Sequence, residues 1–305
     1  MSGGGGKSYG GLPIGSNCSL AAHADECFHI GNAALKVKND SKYVQSQLFE
    51  KGQVKDWDHM ERFWLRCFYD HLRCSPEEHV VCLTEPPLSS IDSRETVTEI
   101  MFETFGVQGL QLANPASMAL FGNHVLTESS FPPLDELTGL VVDIGESVTS
   151  IIPVTAGYVV GSCVKQFGLG GSNVTRFILD SLTARHQPVP DSKRWEVAEQ
   201  IKQSLCYVSA NPRSDVESFR ADKKRHKQFR AVGHDAKETC ISVAEERFMG
   251  PEVLFNPSLL QSQSGLKDSG HQMPPLAEMM DTTIQLCPID YRRPLYENIV
   301  LSGGS

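Results

Sequence analysis

TGLVVDIGESVTSIIPVTAGYVVGSC, residues 138–163, is the stretch whose reading decides the fold. Three apolar runs rich in β-branched residues are joined by short turns, and the first turn carries Asp143 and Gly145. β-Branched residues suit a pleated, buried backbone, so the pattern predicts a β-meander. A strand that ends in Asp-x-Gly places a carboxylate where a hydrated divalent cation can sit and leaves turn N–H groups free for phosphate. Asp and Gly also make ordinary hairpin turns, and the motif by itself leaves both readings open.

Working outward, GGSNVTRFILDSL (170–182) and RWEVAEQIKQSLCYV (194–208) are helical by period, the second with Trp195, Ala198, Ile201, Leu205 and Val208 as its buried stripe. Upstream, Trp57, Met60, Phe63, Trp64, Cys67 and Phe68 recur at three- and four-residue intervals and predict a helix over Asp56–Leu72. A strand is predicted at His79–Thr84, stopped by Pro86 and Pro87. Asp92 with Glu95 has the spacing of a capping box, opening a helix whose face is Val97, Ile100, Met101 and Phe105. Leu276–Leu286 is a predicted helix and Asn298–Leu301 a predicted strand leading into Ser302-Gly303-Gly304, whereas 211–238 and 256–274 are polar enough to be surface excursions. Alternating helix and strand argue for layered α/β architecture, and no short fixed period points to a solenoid.

A length of 305 residues fits about two domains, and 40% apolar residues suffice for packed cores. The formal charge of −9 disfavours nucleic acid and anionic membrane as partners. Nine cysteines, an odd count without CxxC, fall mostly in apolar segments and are expected to be small buried hydrophobes in a reducing compartment. No apolar run of about 18 residues predicts a membrane span, and the N-terminus lacks the order of a signal peptide. Residues 1–27 have the composition of a flexible tail. GGGGKS within them lacks the spacing and the preceding strand of a phosphate loop. HExxH, Cys/His zinc spacing and GxSxG are all missing from the sequence. The basic run Lys223-Lys224-Arg225-His226-Lys227-Gln228-Phe229-Arg230 is a nuclear signal, a contact for acidic surfaces, or simply a solvated loop.

Beside TEPPLSSIDSRETVTEIMFETF (84–105), ERFMGPEVLFNP (246–257) and CPIDYRRPLYENIVLSGGS (287–305), the meander resembles the actin superfamily, in wording nearest its actin-related protein 3 branch. FHIGNAALK (28–36) is similar to the family's F-x-I-G-D-E-A, and KGQVKDWDHMERFW (51–64) to its H-G-x-V-x-D-W-D-x-M-E-R. The resemblance covers 28–305. It implies an α/β, actin-like two-lobed ribonuclease-H-type fold, incomplete at both ends. The expected division is a tail over 1–27, a partial first lobe over 28–137 and a second lobe over 138–305, truncated before its final helices. It further implies ATP with magnesium between the lobes, and a cytoplasmic place in the actin cytoskeleton. The implied partners are actin, actin-related protein 2 and the other subunits of the assembly that nucleates branched filaments.

Carried residue by residue, the resemblance makes Asp143 the carboxylate for water-mediated magnesium. Asp143, Gly145 and Glu146 belong to the second phosphate loop, Gly171 to the following turn, Lys202 and Gln203 to the adenine and ribose edge, and Ser302, Gly303 and Gly304 to a further nucleotide loop. The departures matter as much. Nothing before Phe28 matches the family's first phosphate loop, D-x-G-[ST]-G. Ser147 replaces a glycine, which is unfavourable if that position needs φ > 0. The family's water-positioning glutamine aligns with Pro115 and its partner histidine with Ser150, so weakened ATP binding and no competent hydrolysis are expected. The alternative is a truncated paralogue that binds one partner without nucleating. Sugar kinases and heat-shock chaperones share the fold, and fold alone does not choose among these functions.

Overall fold

The computed structural model describes residues 19–22, 28–30, 44–50, 53–128, 133, 137–232, 238–260 and 273–305. The chain divides into two compact units, Met1–Leu137 with Val154–Gly161, and Thr138–Pro153 with Ser162–Ser305.

In the first unit, β1 (Ser19–Ala22), β2 (Phe28–Ile30) and β3 (Val44–Gln47) pair antiparallel in the order β2-β1-β3. β1 falls inside the segment whose composition predicts a tail; its backbone pairs on both sides, which composition cannot register. Residues 1–18 and 31–36 lie outside the described residues. After the small hairpin of β4 (Phe49–Glu50) and β5 (Gln53–Val54), α1 spans Trp57–Arg66. Asp56 caps it, accepting from the His59 backbone N–H at 3.1 Å and meeting His59 Nδ1 at 2.6 Å. The predicted helix to Leu72 continues as a π-helical turn, Cys67–Leu72, ended by Arg73 at φ 52°.

β6 (Val80–Thr84) runs parallel to β7 (Gly109–Ala113), joined by α2 (Ile91–Glu99) and its π-helical extension Ile100–Thr104. The cap of α2 is Ser90, which accepts from Ser93 N at 3.1 Å. This corrects the Asp92–Glu95 box: Ser90 is the last residue with extended backbone, so Asp92 is already helical. Met60, Phe63, Trp64, Cys67 and Phe68 pack with Leu48, Met101, Phe105 and Val107 into one core, with the Phe68 and Phe105 rings 5.2 Å apart. The spacing did not predict α3 (Pro115–Glu128). Pro115 sits at its start, where proline forfeits no helical hydrogen bond, and Asn114 Oδ1 accepts from Ala116 N at 3.0 Å.

The meander forms β8 (Gly139–Ile144), β9 (Thr149–Thr155), β10 (Tyr158–Val159) and β11 (Lys165–Phe167); β8, β9 as far as Pro153 and β11 are counted in the second unit, Val154–Gly161 in the first. There follow α4 (Gly171–Ala184), α5 (Arg194–Leu205), α6 (Pro212–Ala221), β12 (Lys227–Val232), β13 (Glu238–Val243), α7 (Glu246–Phe255), α8 (Leu276–Leu286), α9 (Ile289–Glu297) and β14 (Ile299–Ser302). The sheet order is β10-β9-β8-β14 with β11 on β9, and β14 lies parallel to β8, Val300 opposite Val141 and Ser302 opposite Asp143. Its central strands are buried, as their unbroken apolar runs require.

The stripe of α5 is Val197, Ala198 and Ile201, packed on Val174, Ile178, Leu182, Ala231, Ile241 and Val243. Trp195 at 41% and Val208 at 63% are exposed, against expectation; Val208 leaves the periodicity because the helix ends at Leu205. Residues 211–232 of the first polar stretch are anchored to the core, Phe219 of α6 and Ala231 of β12 being buried, and residues 233–237 lie outside the described residues. Residues 261–272 of the second polar stretch lie outside the described residues. Cys67, Cys163 and Cys287 are buried as expected, whereas Cys82 and Cys240 lie on exposed strand positions.

His59, its hydrogen bonds first among the causes, holds the Asp56 carboxyl below the usual carboxylate range. Its cap therefore contributes above that range and is lost as pH falls through the lowered value. Asp56→Ala is expected to cost about 0.5–1 kcal/mol at neutral pH, a difference that narrows in urea titrations carried below about pH 4.

Candidate functional site

Every residue of the expected nucleotide set belongs to the second unit, at the ends of β8, β14 and α5 and the start of α4. Asp143 closes β8 beside Ser302, and burial pushes its carboxyl above the ordinary value while the hydrogen-bonded Ser302 side chain pulls the other way. Gly145 N donates to Val148 O at 2.9 Å and closes the turn. The turn then docks on α4, with Gly171 N donating to Gly145 O at 3.0 Å and Ser172 N to Glu146 O at 2.7 Å.

Those two bonds orient the peptide planes. In a trans peptide the N–H points opposite the C=O, so the Glu146 and Ser147 N–H groups are aimed away from α4. Among the described residues neither meets a protein acceptor. Two successive free N–H groups make a small anion-binding concavity. Ser147 is not among the residues at positive φ, so its Cβ meets no backbone strain, which corrects the expected penalty.

The close approach is possible because Gly170 and Gly171 lack side chains. A Cβ on Gly170 would stand 2.5 Å from Gly145 O and 2.7 Å from Glu146 O, and one on Gly171 2.9 Å from Glu146 Oε2 and 3.0 Å from Lys202 Nζ. Gly303, at φ 106°, folds β14 over Ile144, where Ser305 N donates to Ile144 O at 3.2 Å and Ser305 Oγ to Gly145 O at 2.7 Å. Gly304 is exposed, with open space where a Cβ would stand. Gly170, Ser172 and Ser305 were missed as contributors from sequence; a Gly-Gly pair opening an apolar helix is the signal that marks the first two.

Lys202 is nearly buried and held from two sides, 3.2 Å from Gly171 O and 3.6 Å from Glu146 Oε2. It ties α5 to the turn. Gln203 stands apart on the exposed face of α5, its amide 3.4 Å from Glu199 Oε1. Ser150 is buried in β9, its hydroxyl accepting from Gln166 Nε2 at 3.3 Å. Among the described residues no three His, Cys, Asp or Glu side chains gather to bind a metal directly. The free N–H pair fits phosphate oxygens, and the lone carboxylate of Asp143 fits a cation held through its own water shell.

A β-meander ending in Asp-x-Gly, docked on a Gly-Gly helix start and flanked by a Ser-Gly-Gly strand end, is consistent with an actin-type fold. The family model described as Actin matches residues 13–305, beginning ahead of the residue 28 that the phrases marked, and the chain belongs to the actin family, with its mixed α/β fold. Within that family it is similar to actin-related protein 3 of Schizosaccharomyces pombe, 41% identical over 94% of this chain and 64% of that protein. Actin-related protein 3 of Drosophila melanogaster is 42% identical over 91% of this chain and 64% of its own length. That of Saccharomyces cerevisiae is 39% identical over 97% and 63%. The chain thus spans about 64% of the length of the curated relatives it matches.

Gly170→Ala drives a methyl into backbone carbonyls and is expected to cost about 1–3 kcal/mol, in the range of overpacking. Gly171→Ala meets mainly flexible side-chain ends and gains helix propensity, so its cost should stay under about 1 kcal/mol. Urea midpoints of the two variants measure the difference, and equal midpoints would mean that the backbone approach is not the constraint.

Proposed function

We propose that this chain serves as an actin-related protein 3-like subunit of the assembly that nucleates branched actin filaments, acting as a structural template rather than as an enzyme. The observation that carries the reading is the similarity to actin-related protein 3 proteins across nearly the whole of this chain. Its partners are then actin-related protein 2, the other subunits of that assembly and actin, in the cytoplasm.

In this reading ATP with magnesium is bound weakly and acts as a conformational switch. The Glu146 and Ser147 N–H groups with Gly145 would receive phosphate, Asp143 would hold hydrated magnesium, and the Ser302-Gly303-Gly304 end, Gly171, Lys202 and Gln203 would border the nucleotide. Burial favours the neutral form of Asp143, which works against a cation site. Hydrolysis has no support from the two positions where the family carries water-positioning groups. Pro115 offers no side-chain donor or acceptor and serves as a helix start, and the Ser150 hydroxyl is engaged within the sheet. Losing such a group forfeits about 10²–10⁴ in rate.

The test is gel filtration of the tagged chain from its own cells. Co-elution with actin-related protein 2 and the smaller subunits in one stoichiometric high-mass peak is expected; elution alone or as aggregate would sink the subunit assignment and leave a non-nucleating binder of one partner. With purified chain, magnesium-ATP should yield no phosphate above the buffer rate, and turnover abolished by Asp143→Asn would overturn the silent-site reading.

A further inference from the structure

The basic run forms a defined surface instead of a solvated loop. Residues Lys223–Arg225 make a 3₁₀ turn, with Asp222 accepting from Lys224 N through its side chain at 2.9 Å and from Arg225 N through its carbonyl at 3.2 Å. Arg247 clamps the turn by donating to Arg225 O at 3.4 Å, while its guanidinium lies over the Tyr207 and Phe219 rings. The His226 ring stacks on the other ring of this group, 6.4 Å from Phe219. The chain then enters β12.

Among the described residues only one edge of β12 is paired. Ser242 of β13 turns both backbone groups away from β12, its N–H to Gln187 Oε1 at 2.9 Å and its C=O to Arg185 Nη2 at 2.6 Å. Gln228 lies opposite Ser242. In an antiparallel pair the two residues of such a position both face outward, and the pattern repeats every second residue. Gln228, Arg230 and Val232 therefore direct their N–H and C=O groups to the far edge of β12. Among the described residues no donor or acceptor meets them. α5 covers the inner face, through Ala231, and leaves this edge open.

The charge beside that edge is mainly basic. Lys224, Arg225 and Lys227 are exposed, and no carboxylate of the described residues pairs with them. Arg230, 78% exposed, reaches Glu238 at only 3.7 Å, a surface pair that neutralises little. An unpaired edge is a template for another strand. Two copies of this edge would bring like charges together, so the edge disfavours its own kind. A strand edge offers backbone N–H and C=O groups that an extended polypeptide completes as a ladder, which neither a phosphate backbone nor a lipid headgroup can do.

We infer that the outer edge of β12 accepts an extended acidic segment of a partner protein by strand addition, backbone groups of Gln228, Arg230 and Val232 giving the ladder and Lys224, Lys227 and Arg230 selecting carboxylates. Six strand residues span about 20 Å, the reach of a short linear segment. The inference is independent of nucleotide binding.

The probe is a fluorescein-labelled decapeptide alternating Glu and Val, titrated into the full chain and followed by anisotropy. Saturable binding is expected, weakened about tenfold or more by N-methylation of alternate peptide nitrogens and by the double variant Lys227→Glu/Arg230→Glu, with Lys227→Gln/Arg230→Gln intermediate. Unchanged unfolding midpoints keep misfolding out of the comparison. Equal affinity for the N-methylated peptide would overturn strand addition. Equal affinity of the charge-reversed variant would overturn the electrostatic selection. Tighter binding of phosphoinositide vesicles or single-stranded RNA than of the peptide, lost in the same variants, would overturn the choice of partner.

Discussion

The site depends on the approach of one backbone to another: the amides of Gly171 and Ser172 donate to the carbonyls of Gly145 and Glu146 at a spacing that no side chain on Gly170 would permit. The free N–H groups at a helix start are ordinarily an anion site. Here two of them are spent on the turn, and the anion-binding capacity passes to the turn itself, because fixing its carbonyls toward α4 fixes its N–H groups outward. The parallel pairing of β14 with β8 completes the arrangement by setting Ser302 beside Asp143 and bending Gly303 over Ile144.

Charge is arranged around this frame in two ways. Lys202 and Glu146 neutralise each other over the turn, so Lys202 is a brace between α5 and the meander. Farther along, Glu246, 3% exposed, meets Arg185 at 2.5 and 3.1 Å and accepts from Ala244 N at 2.8 Å. Arg185 also donates to Ser242 O, so the end of α4, the start of α7 and the inner edge of β13 are joined through one guanidinium. A buried carboxylate is stable only when its charge is met in this way. The same contact closes one edge of the β12–β13 hairpin, and the opposite edge is left with its backbone groups unmet.

Much of the fold was legible because strong periodicity reports burial directly. The meander, α4, α8 and the face of α2 follow from apolar spacing alone, and α1 fails only in its last turn, where the helix widens. α3 and α9 were missed because proline within or at the head of each masks a helical pattern that proline tolerates at a first turn or where a carbonyl can stay unbonded. The structure of 211–232 was missed because one buried Phe219 and one buried Ala231 anchor it, too few to produce a period. Capping at Ser90 rather than Asp92 turned on which residue keeps extended backbone, a choice two adjacent cap-forming side chains leave open in sequence.

By itself the sequence determined the mixed α/β class, the meander with Asp143 and Gly145 at its turn and the family resemblance. Only the tertiary structure decided that Ser147 sits without strain, that Lys202 is bound to Glu146 and Gly171 O, that Gln203 stands apart, and that β12 keeps an edge unpaired among the described residues. The reason is physical. Apolar period and turn chemistry are local, set within a few residues, whereas the direction of a peptide plane, the partner of a charge and the pairing of a strand edge are fixed by groups 20 to 160 positions away in the chain.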